Sequence, residues 1–309
     1  MRIATSTMTN LATNSMGNSY DTYMDIMNKI TSNKNFTKVS ENPIDATKVL
    51  KLNDQLAKLD NYQSNIQAAI NEMNLAYDTV GDINDEIIRI NDLIIEAANA
   101  TTNPEGAEAI SVEIRQRVES IVDKMDTKYL NNYIFSGVYT EVTPYVINAD
   151  GTVSYQGSSE KAGDRNLTIA EDRIFTYNFT GEQIFGNHTE VDANGVGTNF
   201  FAQMEELNTL LTTQPLDYNA IRSKIDVVND VSKNITQVQG EVSAKVSKLL
   251  TTQELNNATI VNLTENKVNL EEVDITKAAS DLASAQTALQ ASYLIGTNIL
   301  GSVSLLDYL

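Results

Sequence analysis

The apolar positions of the first long segment fall three or four residues apart: Val49, Leu52, Leu56, Leu59, Ile66, Ile70, Met73, Tyr77, Val80, Ile83, Ile87, Ile90 and Ile94, with Gln63 in one slot. An average step of about 3.5 is the seam of a coiled coil, narrower than the stripe of an ordinary surface helix. Only Gly81 interrupts it, at a cost of about 1 kcal/mol, too little to break so long a helix. Asn42-Pro43 predicts the start, because proline is tolerated in a first turn, and Asn103-Pro104 predicts the stop. A second helix is predicted after it, with Ile110, Ile114, Val118, Ile121, Met125 and Tyr129 on one side.

Further on, Ile221, Ile225, Val228, Val231, Ile235, Val238, Val242, Val246 and Leu249 form another stripe. Ile260, Leu263, Leu270, Ala278, Leu282, Ala285, Leu289, Ile295, Ile299 and Val303 continue it, and no proline after Pro215 forces a break. A helix from about Asp45 to Ala98 is roughly 80 Å long at about 1.5 Å per residue. A compact globule of this many residues is only about 50 Å across. The pattern therefore predicts a mainly α protein: an elongated rod of long antiparallel coiled-coil helices drawn from both termini.

The middle of the chain breaks the pattern. Between Tyr133 and Phe201 lie eight of the fourteen glycines and eleven of the twenty aromatics. Tyr133-Ile134-Phe135, Tyr145-Val146-Ile147, Thr152 to Tyr155 and Arg173 to Phe179 read as short strands, and Asn148-Ala149-Asp150-Gly151 as a hairpin turn. This is a small inserted β-rich domain, which makes the whole α+β. The expected division is a terminal coiled coil of residues 1–42 with 270–309, a long-helix rod of 43–132 with 202–269, and the insert 133–201.

The extreme ends carry weaker seams. Met16, Tyr20, Tyr23, Met27 and Ile30 step by four, three, four and three, and a Leu/Ala/Ile seam among Ser, Thr, Gln and Asn runs through the last forty residues. Neither is apolar enough to hold a lone helix. They are expected to order against each other and against neighbouring copies. Met16, Tyr20, Tyr23, Met27 and Ile30 are the candidate interface residues on one side. Leu282, Leu289, Ile295, Ile299 and Val303 are those on the other.

Composition narrows the function. The 41 acids outnumber the 22 bases, so the net charge is −19 and no basic run offsets it locally. Such a polyanion is repelled by nucleic acid and anionic lipid, so neither is expected as a partner. Cysteine is absent and His188 is the sole histidine. Thiolate chemistry, multi-histidine metal sites and cofactor chemistry lose their usual donors. No catalytic, metal-binding or cofactor residue is expected, and an enzyme sited in the insert is the weakest alternative.

Local motifs support nothing sharper. His188 sits in a polar turn and is expected to be exposed. Asn148 to Gly151 and Asp192 to Gly195 lack the alternating acids and closing glutamate of a calcium loop. Gly195-Val196-Gly197 has no phosphate-loop context, and Asn166-Leu167-Thr168 matches a glycosylation acceptor by chance composition. The acid pairs Glu205-Glu206 and Glu271-Glu272 are expected on solvated helix faces. Residues 1–30 show no apolar signal-peptide core or small-residue cleavage site, and no run of apolar residues is long enough to span a membrane.

Three stretches together resemble the axial proteins of the bacterial flagellum related to flagellin. The end of the chain has a Gln-Thr-Ala-Leu-Gln-Ala-Ser core, Gln286 to Ser292, and finishes Leu-Leu-Asp-Tyr-Leu, Leu305 to Leu309. Residues 31–50 resemble the loop entering the first long helix, with Asn42-Pro43-Ile44 where flagellins usually carry an Asp-Asp-Ala run. Tyr133-Ile-Phe-Ser-Gly-Val-Tyr-Thr140, Pro144-Tyr145, Tyr155-Gln-Gly157 and Thr180 to Gly186 are similar to the hook–filament junction branch of that family.

The resemblance implies a structural subunit exported through the flagellar secretion apparatus with an uncleaved N-terminus and held by an export chaperone. It also implies an extracellular place at the junction of hook and filament. The implied partners are further copies of the chain in a ring or zone, the first hook-associated protein on the hook side, and flagellin on the other. Flagellin itself is the alternative within the family. A non-flagellar helical-bundle component of secretion or adhesion is the alternative outside it.

Overall fold

The protein was analysed as a computed structural model. It describes residues 2–99, 103–157, 165–177, 179–192, 195 and 197–306, with side chains from residue 6 and up to residue 299. The chain forms two compact units, residues 1–59 with 257–309, and residues 60–256.

Among the described residues seven helices run α1 (Arg2–Ser32), α2 (Pro43–Ala97), α3 (Pro104–Met125), α4 (Gly181–Phe185), α5 (Phe200–Thr212), α6 (Tyr218–Glu271) and α7 (Ile275–Leu306). Helix α2 opens at the proline that the sequence nominates, and Asn42 caps it. The Asp45 N–H donates to Asn42 Oδ1 at 3.2 Å, and the Asn42 amide donates back to Asp45 at 2.8 Å. The helix runs through Gly81 without a break. Helix α2 ends at Ala97, before the expected stop at Asn103-Pro104, and Asn103 instead starts α3: its Oδ1 accepts the Gly106 N–H at 2.8 Å.

In the larger unit α2 and α6 pair antiparallel. Gln63 donates to the Gln253 carbonyl at 3.1 Å, Gln239 lies beside Gly81, and Asn91 donates to Asn229 at 3.2 Å. Partner numbers fall on one helix as they rise on the other. The polar slot at Gln63 is thus a cross-helix hydrogen bond. The seam residues Ile66, Ile70, Met73, Val80, Ile83, Ile87, Ile90 and Ile94 are buried in one core with the α6 stripe from Ile221 to Leu249, whereas Tyr77, expected in the seam, is 41 % exposed and Ala76 is buried in its place.

Helix α3 lies on α2 through an ionic cluster. Glu86 accepts from Arg117 (3.1 Å), Ser120 (3.0 Å) and Lys124 (2.9 Å). These donors hold its carboxyl below the ordinary range against the cost of its burial. Helix α5, which the apolar pattern alone did not delimit, packs on α3, where Asn208 accepts from Ser111 at 2.6 Å and Arg115 at 3.1 Å.

Among its described residues the middle region has three two-stranded antiparallel ribbons: β1 (Lys128–Tyr129) with β2 (Asn132–Tyr133), β3 (Tyr145–Ile147) with β4 (Val153–Tyr155), and β5 (Asn166–Ala170) with β6 (Arg173–Thr176). Register Tyr145↔Tyr155 and Ile147↔Val153 places Asn148 to Gly151 at the expected turn, where Gly151 adopts φ +90°. Strand β5 went unread because Asn166 and Thr168 dilute its apolar alternation. Phe135, Tyr145, Ile169, Phe175, Phe179, Ile184 and Phe185 are buried in the same continuous core as the helices.

Three local expectations are corrected by this packing. His188 is half-buried, not exposed: its ring stacks on Tyr155 at 5.2 Å between centroids, and its Nε2 is 3.3 Å from the Tyr145 hydroxyl. Burial lowers its pKa to about 4. The acid pairs are split, since Glu205 and Glu272 face solvent while Glu206 pairs with the buried Lys224 and Glu271 with Lys34. A helix has a polar side and an inner side, and adjacent residues lie about 100° apart on it.

The C-terminal helical stretch breaks at 272–274 although no proline or glycine stands there. Asn33, at φ +53°, ends α1, and the loop after it binds the chain: Asn35 N–H donates to Glu271 O at 2.7 Å and Val273 N–H to Asn33 O at 3.4 Å. Asp274 then caps α7, accepting the Thr276 and Lys277 N–H groups at 2.9 and 3.1 Å. Phe36, Ala46 and Val49 form a small core here with Leu270.

Candidate assembly interface

The terminal helices α1 and α7 pack antiparallel along their length in the smaller unit. On α1 the partly covered positions are Thr9, Ala12, Met16, Ser19, Tyr23, Ile26 and Ile30, alternating steps of three and four. On α7 they are Ala278, Leu282, Ala285, Leu289, Ser292, Gly296 and Ile299, in the same alternation. Each helix offers one heptad seam to the other.

Among the candidate residues, Met16, Tyr23, Ile30, Leu282, Leu289 and Ile299 lie half-buried on these seams. Tyr20 (48 % exposed) and Met27 (42 %) sit beside the α1 seam, and Ile295 (57 %) beside that of α7. Val303 falls outside the residues whose side chains are described.

The most buried α7 positions are small: Ala278, Ala285, Ser292 and Gly296. At Gly296 a Cβ would lie 2.5 Å from the Met16 sulfur, so the missing side chain lets Met16 rest on the α7 backbone. Hydropathy did not expose this, because Ser292 and Gly296 do not look like seam residues. Their spacing from Ala278 and Ala285 was the available signal.

Outside the seams, Met8, Leu11, Tyr20, Met24 and Met27 remain exposed on α1, and Tyr293, Leu294 and Ile295 on α7. No charged residue occurs between Arg2 and Asp21 or between Asp281 and Asp307. Surface of this kind can be covered without desolvating an ion. No helix among the described residues is long and apolar enough to cross a membrane. Among the described residues no group of three or more acids and histidine stands close enough to hold a metal.

Comparison with known proteins agrees at both ends. Residues 3–140 match the bacterial flagellin N-terminal helical region and residues 225–309 the bacterial flagellin C-terminal helical region. Flagellar hook-associated protein 3 of Salmonella typhimurium is 25 % identical over 97 % of this chain and 98 % of its own length. The Escherichia coli K12 protein of that name is 24 % identical over the same shares.

Among solved structures, flagellar hook-associated protein 3 of Legionella pneumophila superposes with a TM-score of 0.61, at 15 % identity over 72 % of this chain and 98 % of that one. Bacillus cereus FlgL gives 0.54, at 19 % identity over 71 % and 99 %. The similarity of fold and the full-length match point the same way: the chain belongs to the flagellin superfamily, in its hook-associated, junction-type branch.

Proposed function

We propose that the chain is the structural subunit that joins hook to filament in the bacterial flagellum, taking up the end of the hook-associated adaptor and presenting a surface on which flagellin assembles. What carries the reading is the end-to-end match to hook-associated protein 3 combined with pairing of the two terminal helices. The relatives are structural flagellar proteins rather than enzymes. The chain acts by burying surface, not by chemistry.

In this role residues 1–42 with 270–309 are the assembling part, distinct from residues 43–132 with 202–269 and from the insert 133–201. Met16, Tyr23, Leu282, Leu289 and Ile299 hold the α1–α7 pair together. Tyr20, Met27 and Ile295 extend its apolar surface towards neighbouring copies, and Ile30 and Val303 lie near its two limits. The first hook-associated protein, flagellin, an export chaperone and further copies of the chain are the partners. Export proceeds through the flagellar secretion apparatus.

Deleting the gene in its source bacterium tests this. Hooks without filaments, with flagellin shed as monomer into the medium, are the expected outcome. Hooks without filaments and no flagellin anywhere would make this chain the filament subunit. Unchanged filaments would overturn the flagellar role.

A further inference from the structure

The acidity of the chain is unevenly placed. Residues 60–256 hold 13 bases and 30 acids, whereas the remaining residues hold 9 and 11. On α2 no base occurs between Lys58 and Arg89. Two acids of that stretch are compensated, Glu72 by Arg165 and Glu86 by Arg117 with Lys124. Asp78, Asp82, Asp85 and the nearby Asp92 are exposed, and none has an ion-pair partner among the described residues.

At about 100° per residue Asp78, Asp85 and Asp92 share one face of α2, beside Ile88 and Ile95, which are each half exposed. Asp78 and Asp82 stand four residues apart, and like charges at that spacing destabilise a helix. An acidic row beside an apolar row is therefore costly in the isolated chain. A basic and partly apolar cover would offset that cost.

The smaller unit holds a surface of that description. A groove of about 450 Å³ between the first turns of α2 and the last turns of α6 has Leu52 and Leu270 as its floor. Lys48 and Lys51 stand at its rim with three amide side chains, and no acid lines it. Asp45 holds Lys48 at 2.8 Å, whereas Lys51 has no carboxylate partner among the described residues. Two lysines on one acid-free rim are notable in a chain with almost twice as many acids as bases.

We propose that the Asp78–Asp85–Asp92 face of α2 in one copy docks into the Lys51–Leu52–Leu270 groove of a second copy. Lys51 meets the carboxylate row, the amides donate to it, and Ile88 and Ile95 cover the two leucines. Groove and row are different surfaces, so the contact is heterologous and propagates from copy to copy until a ring closes. The same chain cannot satisfy it internally, because Lys51 and Asp85 lie on one continuous helix. The docking rests on the junction reading above and specifies which surfaces copies use on each other.

The chain has no cysteine, so a pair introduced by Lys51→Cys with Asp85→Cys is unambiguous. A short bismaleimide is the right probe, since a lysine–aspartate contact separates the backbones by more than a disulfide spans. In flagella isolated from the source bacterium, the double variant should give a ladder of linked copies, and each single variant monomer only. Lys51→Glu or Asp85→Lys alone should lower the chain in the flagellar fraction roughly tenfold, and the two together should restore it.

No ladder, or no rescue, while the unmodified chain is present in that fraction overturns the docking. So does a ladder joining the chain to a different flagellar protein. Absence of the unmodified chain from the flagellar fraction would instead overturn the junction reading on which the docking rests.

Discussion

Arg165 ties the β5–β6 ribbon to α2, and removing it should expose how much of the larger unit depends on that tie. Glu72 is 4 % exposed, and both guanidinium nitrogens of Arg165 bond its carboxylate. The same guanidinium donates to the Tyr177 hydroxyl at 3.2 Å and lies over the Tyr177 ring at 4.7 Å. Arg165→Ala leaves a buried carboxylate without its cation. Breaking a fully buried pair costs about 3–5 kcal/mol, and the partial exposure of Arg165 puts the loss at or below that lower limit, about 2–3 kcal/mol.

Two hydrogen bonds from side-chain amides hold the same ribbon, Asn65 donating to Thr168 O and Asn256 to Ile169 O, each at 3.0 Å. The variant should therefore unfold earlier without losing its fold. Urea unfolding followed by far-ultraviolet circular dichroism at pH 7 reads the loss as a lower midpoint. Glu72→Gln in the Arg165→Ala background should recover at least about half of it, because an amide is far cheaper to bury than a charge.

A loss below about 1 kcal/mol, or one untouched by Glu72→Gln, would refute the reasoning.

Three further outcomes follow from the packing. Gly181→Ala places a Cβ 2.2 Å from the hydroxyl of the buried Tyr145, whose ring Phe185 and Phe201 hold in place; unfolding midpoints should drop by about 1–3 kcal/mol equivalent. His188, with its folded pKa near 4 against about 6.5 unfolded, stabilises fully above pH 6.5 and loses stability as pH falls towards 4. Allowing for the wet side of the ring, that loss should be about 1–2 kcal/mol between pH 7 and pH 4.5, and His188→Phe should flatten this component of the profile. Leu289→Asp should leave residues 60–256 folded by circular dichroism yet abolish incorporation into flagella, whereas normal incorporation would remove Leu289 from the interface.

The long helices and their antiparallel partnership were legible because periodicity is a local property, repeated over many turns, that depends on no particular neighbour. Val49 to Ile94 and Ile221 to Leu249 declare their buried sides by spacing, apart from Tyr77, which lies exposed while Ala76 is buried. Asn42-Pro43 declares a helix start by backbone chemistry, whereas Asn103-Pro104, read as a stop, starts α3. The terminal motifs pointed to the family directly.

Tertiary structure decided what spacing cannot carry. Ser292 and Gly296 belong to the α7 seam and Ile295 does not, because close helix approach selects small side chains over apolar ones. His188 left the solvent because Tyr145 and Tyr155, distant in sequence, close around it. The break at 272–274 is held by hydrogen bonds exchanged with residues 33–35, and no residue within the break announces it. A periodic pattern records which side of a helix is buried; only the fold determines what that side meets.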